Sequence, residues 1–374
     1  MKKSLLVAVS TAALSFLSAS AQEIATWEDW KKAAVTFTFD DAAREYNTDA
    51  FAADALSKKG FVGTFYMVTG WANGLWSKYQ EFAKNGHEIG SHTDSHTSQD
   101  SELASSKNTI NNNIKNQECI TIAYPNCNVP TESQVLANYI GGRICGGQIN
   151  SKSPSNFARL DCIICGTQGI NSTNQFTSKI DQAKGMGGWV VFLIHGISGM
   201  EASGSYSPTD QRAFTGTLDY LSQNESSYWV TSFRNACMYI KERDNSTLKK
   251  VGGDSSSDTY SLTLNTQLSN NKICKWNYPL SIRVPMQDGW TNIKVTQNDQ
   301  EIESEVSGGY VYFKAVPNGG DIVVGSGAPA VPDPVFSFKD PSSAQSWCKD
   351  SSYTISWTMD GDTNGKDFTL NWST

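Results

Sequence analysis

Two histidines that lie four residues apart are the first candidates for chemistry in this chain. His92 and His96 belong to the run 87–96, which holds three of the four histidines among 374 residues. On a helix, residues at i and i+4 share one face, so two such imidazoles can bind the same divalent metal ion. Zinc proteases with this spacing place a glutamate directly after the first histidine, whereas this chain has Thr93 there. The pair therefore indicates a metal site that is not a protease site, and two ordinary surface histidines are the alternative.

Further polar side chains follow apolar runs that have the pattern of buried strands. Asp40 and Asp41 follow the run 33–39, and His195 follows the run 189–194. In parallel β/α folds, catalytic groups gather at the carboxyl ends of the strands. One carboxylate and two histidines would leave a position for water on a metal ion, and a second carboxylate and a third histidine could act as base and acid. The alternatives are a turn-capping Asp-Asp pair and a structural histidine, but their joint occurrence at strand ends favours a site.

The apolar periodicity predicts the elements that position these groups. Strands are predicted at 33–39, 63–69, 119–124, 189–194 and 229–233, and helices at 47–59, 75–85, 103–116, 131–140, 174–184, 209–223 and 234–243. Strands that alternate with helices at this spacing imply βαβ units and a parallel sheet. After a polar run at 251–258, interpreted as a linker, short alternating strands between residues 260 and 324 predict a small all-β sandwich.

The first residues have the pattern of an export signal. Lys2 and Lys3 precede an apolar stretch at 5–17, and small residues end at Ala21 before Gln22. This pattern predicts a signal peptide that is cleaved near Ala21/Gln22, and hence a secreted protein, extracellular or periplasmic. The apolar stretch is too short for a membrane span, which needs about 20 apolar residues. The predicted division of the chain is 1–21 for the signal peptide, 22–245 for the β/α domain, 252–326 for the sandwich, and 327–374 for a linker and a short β-like C-terminal segment.

Charge and cysteine content limit the partners and the compartment. Without Lys2 and Lys3 the formal net charge changes from −7 to −9, which argues against nucleic acid and anionic membrane surfaces as partners. All eight cysteines follow the predicted signal peptide, and in an oxidising compartment they are expected to form disulfides. Their connectivity cannot be deduced from the sequence. For Cys162-x-x-Cys165, a local disulfide is favoured over a redox pair or half of a zinc site.

Four segments, taken in order, resemble the motifs of one enzyme family. They are Thr38-Phe39-Asp40-Asp41, His92-Thr93-Asp94-Ser95-His96, Ala123-Tyr124-Pro125 and Leu193-Ile194-His195, which resemble the first, second, third and fifth motifs of the polysaccharide deacetylases with a NodB homology domain (carbohydrate esterase family 4). The resemblance covers about residues 33–242. It implies a distorted parallel (β/α) barrel of the NodB type, followed here by the small all-β sandwich.

The resemblance also implies a role for each matching residue. Asp40 would be the general base, and His195 would protonate the leaving group. Asp41, His92 and His96 would hold one divalent metal ion, with Zn²⁺ expected first and Co²⁺ or Ni²⁺ as alternatives.

The third and fifth motifs are expected to contact the acetyl group. Leu193 would line the pocket for the acetyl methyl group. Tyr124 and Pro125 would lie at the substrate, and the backbone N–H of Asn126 would help to hold the oxyanion. Cys127, which follows, is expected to be disulfide-bonded rather than catalytic.

Two features of the family are missing at their usual places. The third motif often begins with an arginine that orients the catalytic aspartate, but Ala123 stands here, and the fourth motif is not found. Arg159 and Asp161 are candidates for a substitute orienting pair. Trp71 and Trp76 are candidates for a sugar-stacking platform, with a structural role at the barrel edge as the alternative.

The resulting expectation is a secreted, metal-dependent hydrolase that removes acetyl groups from a carbohydrate polymer. N-acetyl groups of chitin, chito-oligosaccharide or peptidoglycan are expected first, and O-acetyl groups of acetylated xylan second. A polysaccharide-binding protein without catalysis is the alternative from another class. The expected partner is therefore an acetylated polysaccharide or oligosaccharide, with no nucleic acid and no membrane span.

Overall fold

The computed structural model of the chain describes residues 22–327, 335–340 and 356–360. The predicted signal peptide and most of the predicted C-terminal segment lie outside these residues. The strands are β1 (Glu23–Ile24), β2 (Ala33–Ala42), β3 (Thr64–Met67), β4 (Glu88–Ser91), β5 (Thr121–Ala123), β6 (Gly141–Arg143), β7 (Ile163–Ile164), β8 (Trp189–Ile194), β9 (Tyr228–Val230), β10 (Ser246–Gly253), β11 (Ser257–Leu264), β12 (Leu280–Pro285), β13 (Ile293–Gln297), β14 (Gln300–Ile302), β15 (Ser304–Ser307), β16 (Tyr310–Ala315), β17 (Ile322–Ser326), β18 (Val335–Asp340) and β19 (Ser356–Asp360).

The helices mostly agree with the predicted ones to within a few residues. They are α1 (Tyr46–Ser57), α2 (Trp76–Lys84), α3 (Ser101–Asn113), α4 (Glu132–Asn138), α5 (Thr173–Met186), α6 (Gln211–Gln223), α7 (Phe233–Asp244) and the short α8 (Thr266–Ser269). Within the described part of the chain, none of the helices combines the length and the apolar character that a bilayer span requires.

Eight parallel strands form the central sheet of the first domain. Seven follow the order β6-β5-β4-β3-β2-β8-β7, and β9 pairs with the beginning of β2. The sheet curls until its two edges meet, because Leu160, just before β7, forms a parallel bridge with Arg143 of β6. The N–H of Leu160 donates to the carbonyl of Gly142 at 2.9 Å, and its carbonyl accepts from the N–H of Ile144 at 2.8 Å. The predicted distorted parallel (β/α) barrel is therefore confirmed.

Strand β2 is the longest strand of this sheet, and all ten of its residues are buried. Its β-branched and aromatic residues suit a strand that is covered on both faces. On one face, Phe37 and Phe39 each contact the ring of Phe214 in α6, with centroids 5.6 and 5.9 Å apart. On the other face, the Thr36 hydroxyl accepts a hydrogen bond from the indole of Trp189 at 3.0 Å. Burial on both faces fixes the register that brings the acidic end of β2 to one rim of the barrel.

The second domain is a sandwich of two antiparallel sheets, as predicted. One sheet has the order β1-β12-β16-β15 and the other the order β10-β11-β17-β13-β14. Alternate residues such as Leu262, Ile282, Val311 and Val324 are buried between them. Strand β1 comes from the segment before the barrel, and its Glu23 lies opposite Arg283 of β12.

The polar run interpreted as a linker is a hairpin instead. Strands β10 and β11 pair with each other from Ser246↔Leu264 to Gly253↔Asp258. The Asp254 carboxylate closes the turn by accepting hydrogen bonds from the N–H groups of Ser256 and Ser257 at 2.7 and 2.9 Å. The run is polar because the end of this hairpin is exposed to solvent. Its composition therefore resembles that of a linker.

The barrel and the sandwich share one hydrophobic cluster. It contains Trp189 and Trp229 of the barrel together with Leu280 of the sandwich. Buried Glu242 of α7 accepts a hydrogen bond from the N–H of Tyr278 at 3.0 Å. The two domains therefore bury apolar surface against each other.

Candidate active site

The carboxyl ends of the barrel strands bring the predicted site residues together. Asp40 and Asp41 are at the end of β2, and His92 and His195 directly follow β4 and β8. Asp41 adopts a positive φ of 58°, which turns the chain away from the strand direction. His96 reaches the same place from the loop after β4. Their cleft has a volume of about 460 Å³. Its lining consists of Asp40, Asp41, Arg44, His92, His96, Tyr124, Asn126, Cys127, Cys145, Ile164, Leu193, His195, Gly204 and Tyr206.

Asp41, His92 and His96 form a candidate metal centre. Their ligand atoms all lie within 4.8 Å of one another. Asp41 Oδ1 is 3.7 Å from His92 Nε2 and 3.2 Å from His96 Nε2, is buried, and accepts no hydrogen bond. His92 Nδ1 lies 2.8 Å from the carbonyl of Ala123, which places the proton on Nδ1 and leaves Nε2 free for a metal ion. One oxygen and two nitrogen donors fit zinc or a similar ion.

The two histidines converge through a loop and not through a helix, so the helical i, i+4 interpretation is wrong. Thr93 and His96 both have positive φ, 67° and 59°, a region that a right-handed helix excludes. The carboxylate of Glu102 in α3 accepts hydrogen bonds from the N–H groups of Asp94 and Ser95, each at 2.9 Å. This acceptor shapes the loop in place of a helical turn.

Asp40 is bound by an arginine that the sequence analysis missed. The guanidinium of Arg143, at the end of β6, donates from Nη2 to Asp40 Oδ2 and from Nη1 to Cys162 Sγ at 3.0 Å. The Arg143 side chain is fully buried and lies 5.4 Å over the ring of Tyr66. Burial lowers the pKa of Arg143, but Asp40, Cys162 and Tyr66 together raise that pKa by more, so the guanidinium stays charged. Asp40 Oδ1 is buried and accepts no hydrogen bond, so one carboxylate oxygen is held and the other is free.

The structure does not bring Arg159 and Asp161 to Asp40. Arg159 forms an ion pair with Glu132 at the surface, where the two side chains are 49% and 37% exposed. The carboxylate of Asp161 instead accepts from the N–H of Cys162 at 2.8 Å. The sequence offers one indication of the role of Arg143: it is the single charged residue in the apolar, glycine-rich run 139–145.

The turn after β5 lies beside the candidate metal centre and is held by a disulfide. Asn126 and Cys127 have positive φ of 51° and 59°, and Cys127 is bonded to Cys145, which confirms the predicted disulfide bonding of Cys127. The bond therefore joins the Asn126 turn to the chain two residues beyond Arg143. Tyr124, in contrast, donates its hydroxyl to the carbonyl of Ala158 at 2.8 Å, so its phenol oxygen points into the protein.

Cys162 and Cys165 do not form the local disulfide that was expected. Both are buried free thiols, and they belong to different hydrophobic clusters. Residues three apart along an extended segment point to opposite faces, which explains why these two sulfur atoms do not meet. Among the described cysteines, only Cys127 and Cys145 are bonded to each other.

Two exposed aromatic rings flank the cleft. Trp71 is 36% exposed and stacks on the ring of His96, with centroids 5.4 Å apart. Tyr206, which the sequence analysis did not single out, is 51% exposed and contacts His195 edge-on at 5.1 Å. Trp76 packs against the barrel core at the start of α2 and is not part of the cleft. The Nδ1 atom of His195 is buried and has no hydrogen-bond partner among the described residues.

The sequence of residues 28–140 matches the family model described as polysaccharide deacetylase. This part of the chain is therefore similar to the polysaccharide deacetylases. The members of this family are hydrolases that act on acetylated carbohydrates. The match includes the segments that carry Asp40, Asp41, His92 and His96.

Other comparisons find more distant similarity. A gellan lyase from Bacillus sp is 25% identical over 333 residues, which are 81% of this chain and 13% of that protein; the chain thus spans about an eighth of the length of that relative. Among solved structures, a putative polysaccharide deacetylase from Mycobacterium smegmatis is 13% identical with a TM-score of 0.47, over 63% of this chain and 99% of that one. A family 4 acetyl xylan esterase from Clostridium thermocellum, in complex with a cobalt ion, is 16% identical with a TM-score of 0.38, over 54% and 89%.

Proposed function

We propose that this protein is a deacetylase, which hydrolyses acetyl groups of an extracellular carbohydrate polymer with one divalent metal ion, Zn²⁺ first, held by Asp41, His92 and His96. The observation that carries the proposal is the convergence of these three side chains with Asp40 and His195 in one cleft. A bound ion of this kind lowers the pKa of water and polarises a carbonyl group. Export after cleavage near residue 21 is part of the same proposal and rests on the N-terminal pattern.

Asp40 has the environment that a general base needs. Arg143 holds one of its carboxylate oxygens, and the other faces the cleft without a partner. The fixed oxygen sets the orientation of the carboxylate, so the free oxygen can take a proton from a water molecule beside it. Because Arg143 remains charged, it also balances the negative charge of Asp40 in a buried place.

The other side of the cleft supplies the groups for the leaving group and the oxyanion. His195 is proposed to protonate the departing amine or alcohol. The backbone N–H of Asn126 is proposed to donate to the oxyanion, and the loss of one such donor typically slows a reaction by about 10²–10³-fold. Leu193, which is 3% exposed at the cleft, would contact the acetyl methyl group.

The two flanking rings favour a polymer as the substrate. The apolar faces of sugar rings pack against aromatic side chains, and Trp71 and Tyr206 offer such surfaces on the two sides of the site. A sugar bound between His96 and His195 would therefore have neighbours on both rings. We propose internal units of an N-acetylated chain as the substrate, and acetylated xylan is the alternative for the same site.

Acetate release distinguishes these substrates. Purified enzyme should release acetate from N-acetylglucosamine oligosaccharides faster than from acetylated xylan. The reverse order would assign an O-acetyl substrate. No release from either polymer or from peptidoglycan, by protein that still binds polysaccharide, would contradict the catalytic proposal and favour the binding protein.

Metal analysis tests the proposed ligands. The parent should hold about one metal ion per chain, and Asp41→Ala and His92→Ala should lose both the metal and the activity. Asp54→Ala is the matched control, because Asp54 is 60% exposed on α1 and, among the described residues, forms an ion pair only with Lys58. Equal metal content in the parent and in Asp41→Ala would contradict the assignment.

A further inference from the structure

A second cavity, larger than the catalytic cleft, lies on the sandwich. It has a volume of about 600 Å³ and is lined by residues of the turn at 28–30 and of the four-stranded sheet. Its lining includes Asp29, Trp30, Glu303, Glu305, Tyr312 and Lys314. We call this cavity the sandwich groove.

Aromatic side chains form one wall of the sandwich groove. In β16 the side chains alternate, so Val311 is buried while Tyr310 and Tyr312 face outward. The ring of Trp30 meets that of Tyr312 edge-on at 5.6 Å. The guanidinium of Arg283 lies 4.6 Å over Trp30 and 4.5 Å over Tyr310. Trp30 and Tyr312 therefore present two rings, nearly perpendicular to each other, to the groove, and the guanidinium of Arg283 holds the Trp30 ring in place.

The chain adopts an unfavourable backbone to place Trp30 there. Asp29 and Trp30 have φ values of 53° and 60°, a region that bulky residues without special reason avoid. Anchoring the segment does not require this placement, because neighbouring Trp27 is fully buried in the shared hydrophobic cluster. Trp30 itself stays partly exposed at the groove. The strained turn therefore presents a ring to the groove in addition to fastening the segment.

The charges of the groove restrict what it can bind. Three carboxylates, of Asp29, Glu303 and Glu305, line it together with one ammonium group, of Lys314. Lys314 is already bound to Glu28 at 2.6 Å and to Asp29 at 3.0 Å. Glu303 and Glu305 form no ion pair among the described residues. The groove thus repels anions and offers free acceptors to hydroxyl or ammonium groups.

We propose that the sandwich groove binds a polysaccharide segment that lacks acidic groups, either neutral or amine-bearing. Aromatic faces would hold the sugar rings, and Glu303 and Glu305 would accept hydrogen bonds from their hydroxyl or amino groups. The proposal rests on the proposed function only for the identity of the polymer. The groove is separate from the cleft, because Trp30 precedes the start of β2 while Asp40 lies near its far end, about 23 Å along the strand from Ala33.

Binding and catalysis are measured separately to test the groove. Co-sedimentation with insoluble chitin and with xylan reports binding to the polymer, and acetate release from a short soluble N-acetylglucosamine oligosaccharide reports catalysis. Trp30→Ala should weaken sedimentation with one of the polymers about tenfold and leave acetate release unchanged. Trp30→Phe, which keeps a ring, should restore most of the binding.

A second pair of substitutions leaves the folding contacts of Trp30 intact. Glu303→Gln combined with Glu305→Gln should weaken binding of a glucosamine hexasaccharide and allow polygalacturonate, an anionic polymer that the parent excludes, to bind. Glu225→Gln, an exposed glutamate of the barrel, is the matched control and should change neither.

Two results would overturn the proposal: unchanged sedimentation of Trp30→Ala with both polymers, or unchanged ligand preference of the double glutamine variant. The groove and the catalytic proposal fail in different ways. If no substrate releases acetate but Trp30→Ala still loses polymer binding, the groove stands and the proposed function does not.

Discussion

Replacement of Arg143 is the sharpest test of how the site is built. Arg143 is fully buried, and its guanidinium donates one hydrogen bond to Asp40 and another to Cys162. Arg143→Met removes the cation and both hydrogen bonds, and Arg143→Lys keeps the charge without the guanidinium. We expect the activity to fall in the order parent, lysine variant, methionine variant, because Asp40 loses first its orientation and then its counter-charge.

The magnitude follows from the contacts. A hydrogen bond to a charged group contributes about 1.5–3 kcal/mol, so its loss lowers kcat/KM by about 10–150-fold if it acts fully in the transition state. Removing one member of a buried ion pair also destabilises a protein by about 3–5 kcal/mol. Arg143→Met should therefore unfold at lower urea than the parent.

A second substitution separates the pair from a general loss of stability. Arg143→Met combined with Asp40→Asn removes both charges of the buried pair. This double variant should therefore be more stable in urea than Arg143→Met alone, although it is inactive. Arg159→Ala is the matched control, because that arginine pairs with Glu132 at the surface and should change stability by at most about 1 kcal/mol and activity not at all.

The reasoning would be refuted by a parent-like kcat/KM in Arg143→Met. It would also be refuted if Arg159→Ala reduced activity as strongly, since Arg159 would then be the residue that acts on Asp40. Equal stability of Arg143→Met and the double variant would show that the two charges are not coupled.

Three further predictions concern the disulfide, the domain contact and the cleft rim. Replacing Cys127 and Cys145 by serine should lower the free energy of unfolding by about 3 kcal/mol, the value expected for a loop of this size. It should also lower kcat, because the Asn126 turn is no longer held in place. A parent-like urea midpoint would contradict the expected loss of stability. Burial raises the pKa of Glu242 from its ordinary 4.5 to about 8. Between these two pH values the folded protein keeps a proton that the unfolded chain releases. The free energy of unfolding should therefore fall as the pH rises across this window, by at most about 1.4 kcal/mol per pH unit. Glu242→Gln should flatten that slope in urea titrations at several pH values, and equal slopes would refute the assignment. Tyr206→Ala should raise KM for a long oligosaccharide several-fold while kcat for a monosaccharide stays constant, and an equal change for both would point to damage at His195.

The sequence predicts those parts of the molecule that local patterns determine. The run 189–194 is apolar on both faces, and the run 33–39 is interrupted only by Thr36 and Thr38, so their identity as buried barrel strands follows from composition and length alone. The carboxyl ends of such strands share one rim, which is why Asp40 and His195 could be placed together before the structure was known.

Other features depend on contacts between distant segments. Arg143 pairs with Asp40 across 103 positions, and nothing in its neighbours shows which carboxylate it meets. The loop of His96 is shaped by Glu102, whose side chain competes with helical hydrogen bonds, so the i, i+4 spacing was misleading. Composition was also misleading at 251–258, because the exposed end of a hairpin and a linker contain the same kinds of polar residue.

The pairing of β1 with β12 has a consequence for biosynthesis. Glu23 and Arg283 face each other across 260 positions. At about 5–20 residues per second, the ribosome takes roughly 13–50 s to cover this distance. Strand β1 has no partner during this time, although every strand of the barrel is synthesised before β12. The first segment to be synthesised is therefore among the last to reach its final place, and a stalled or truncated sandwich leaves it exposed.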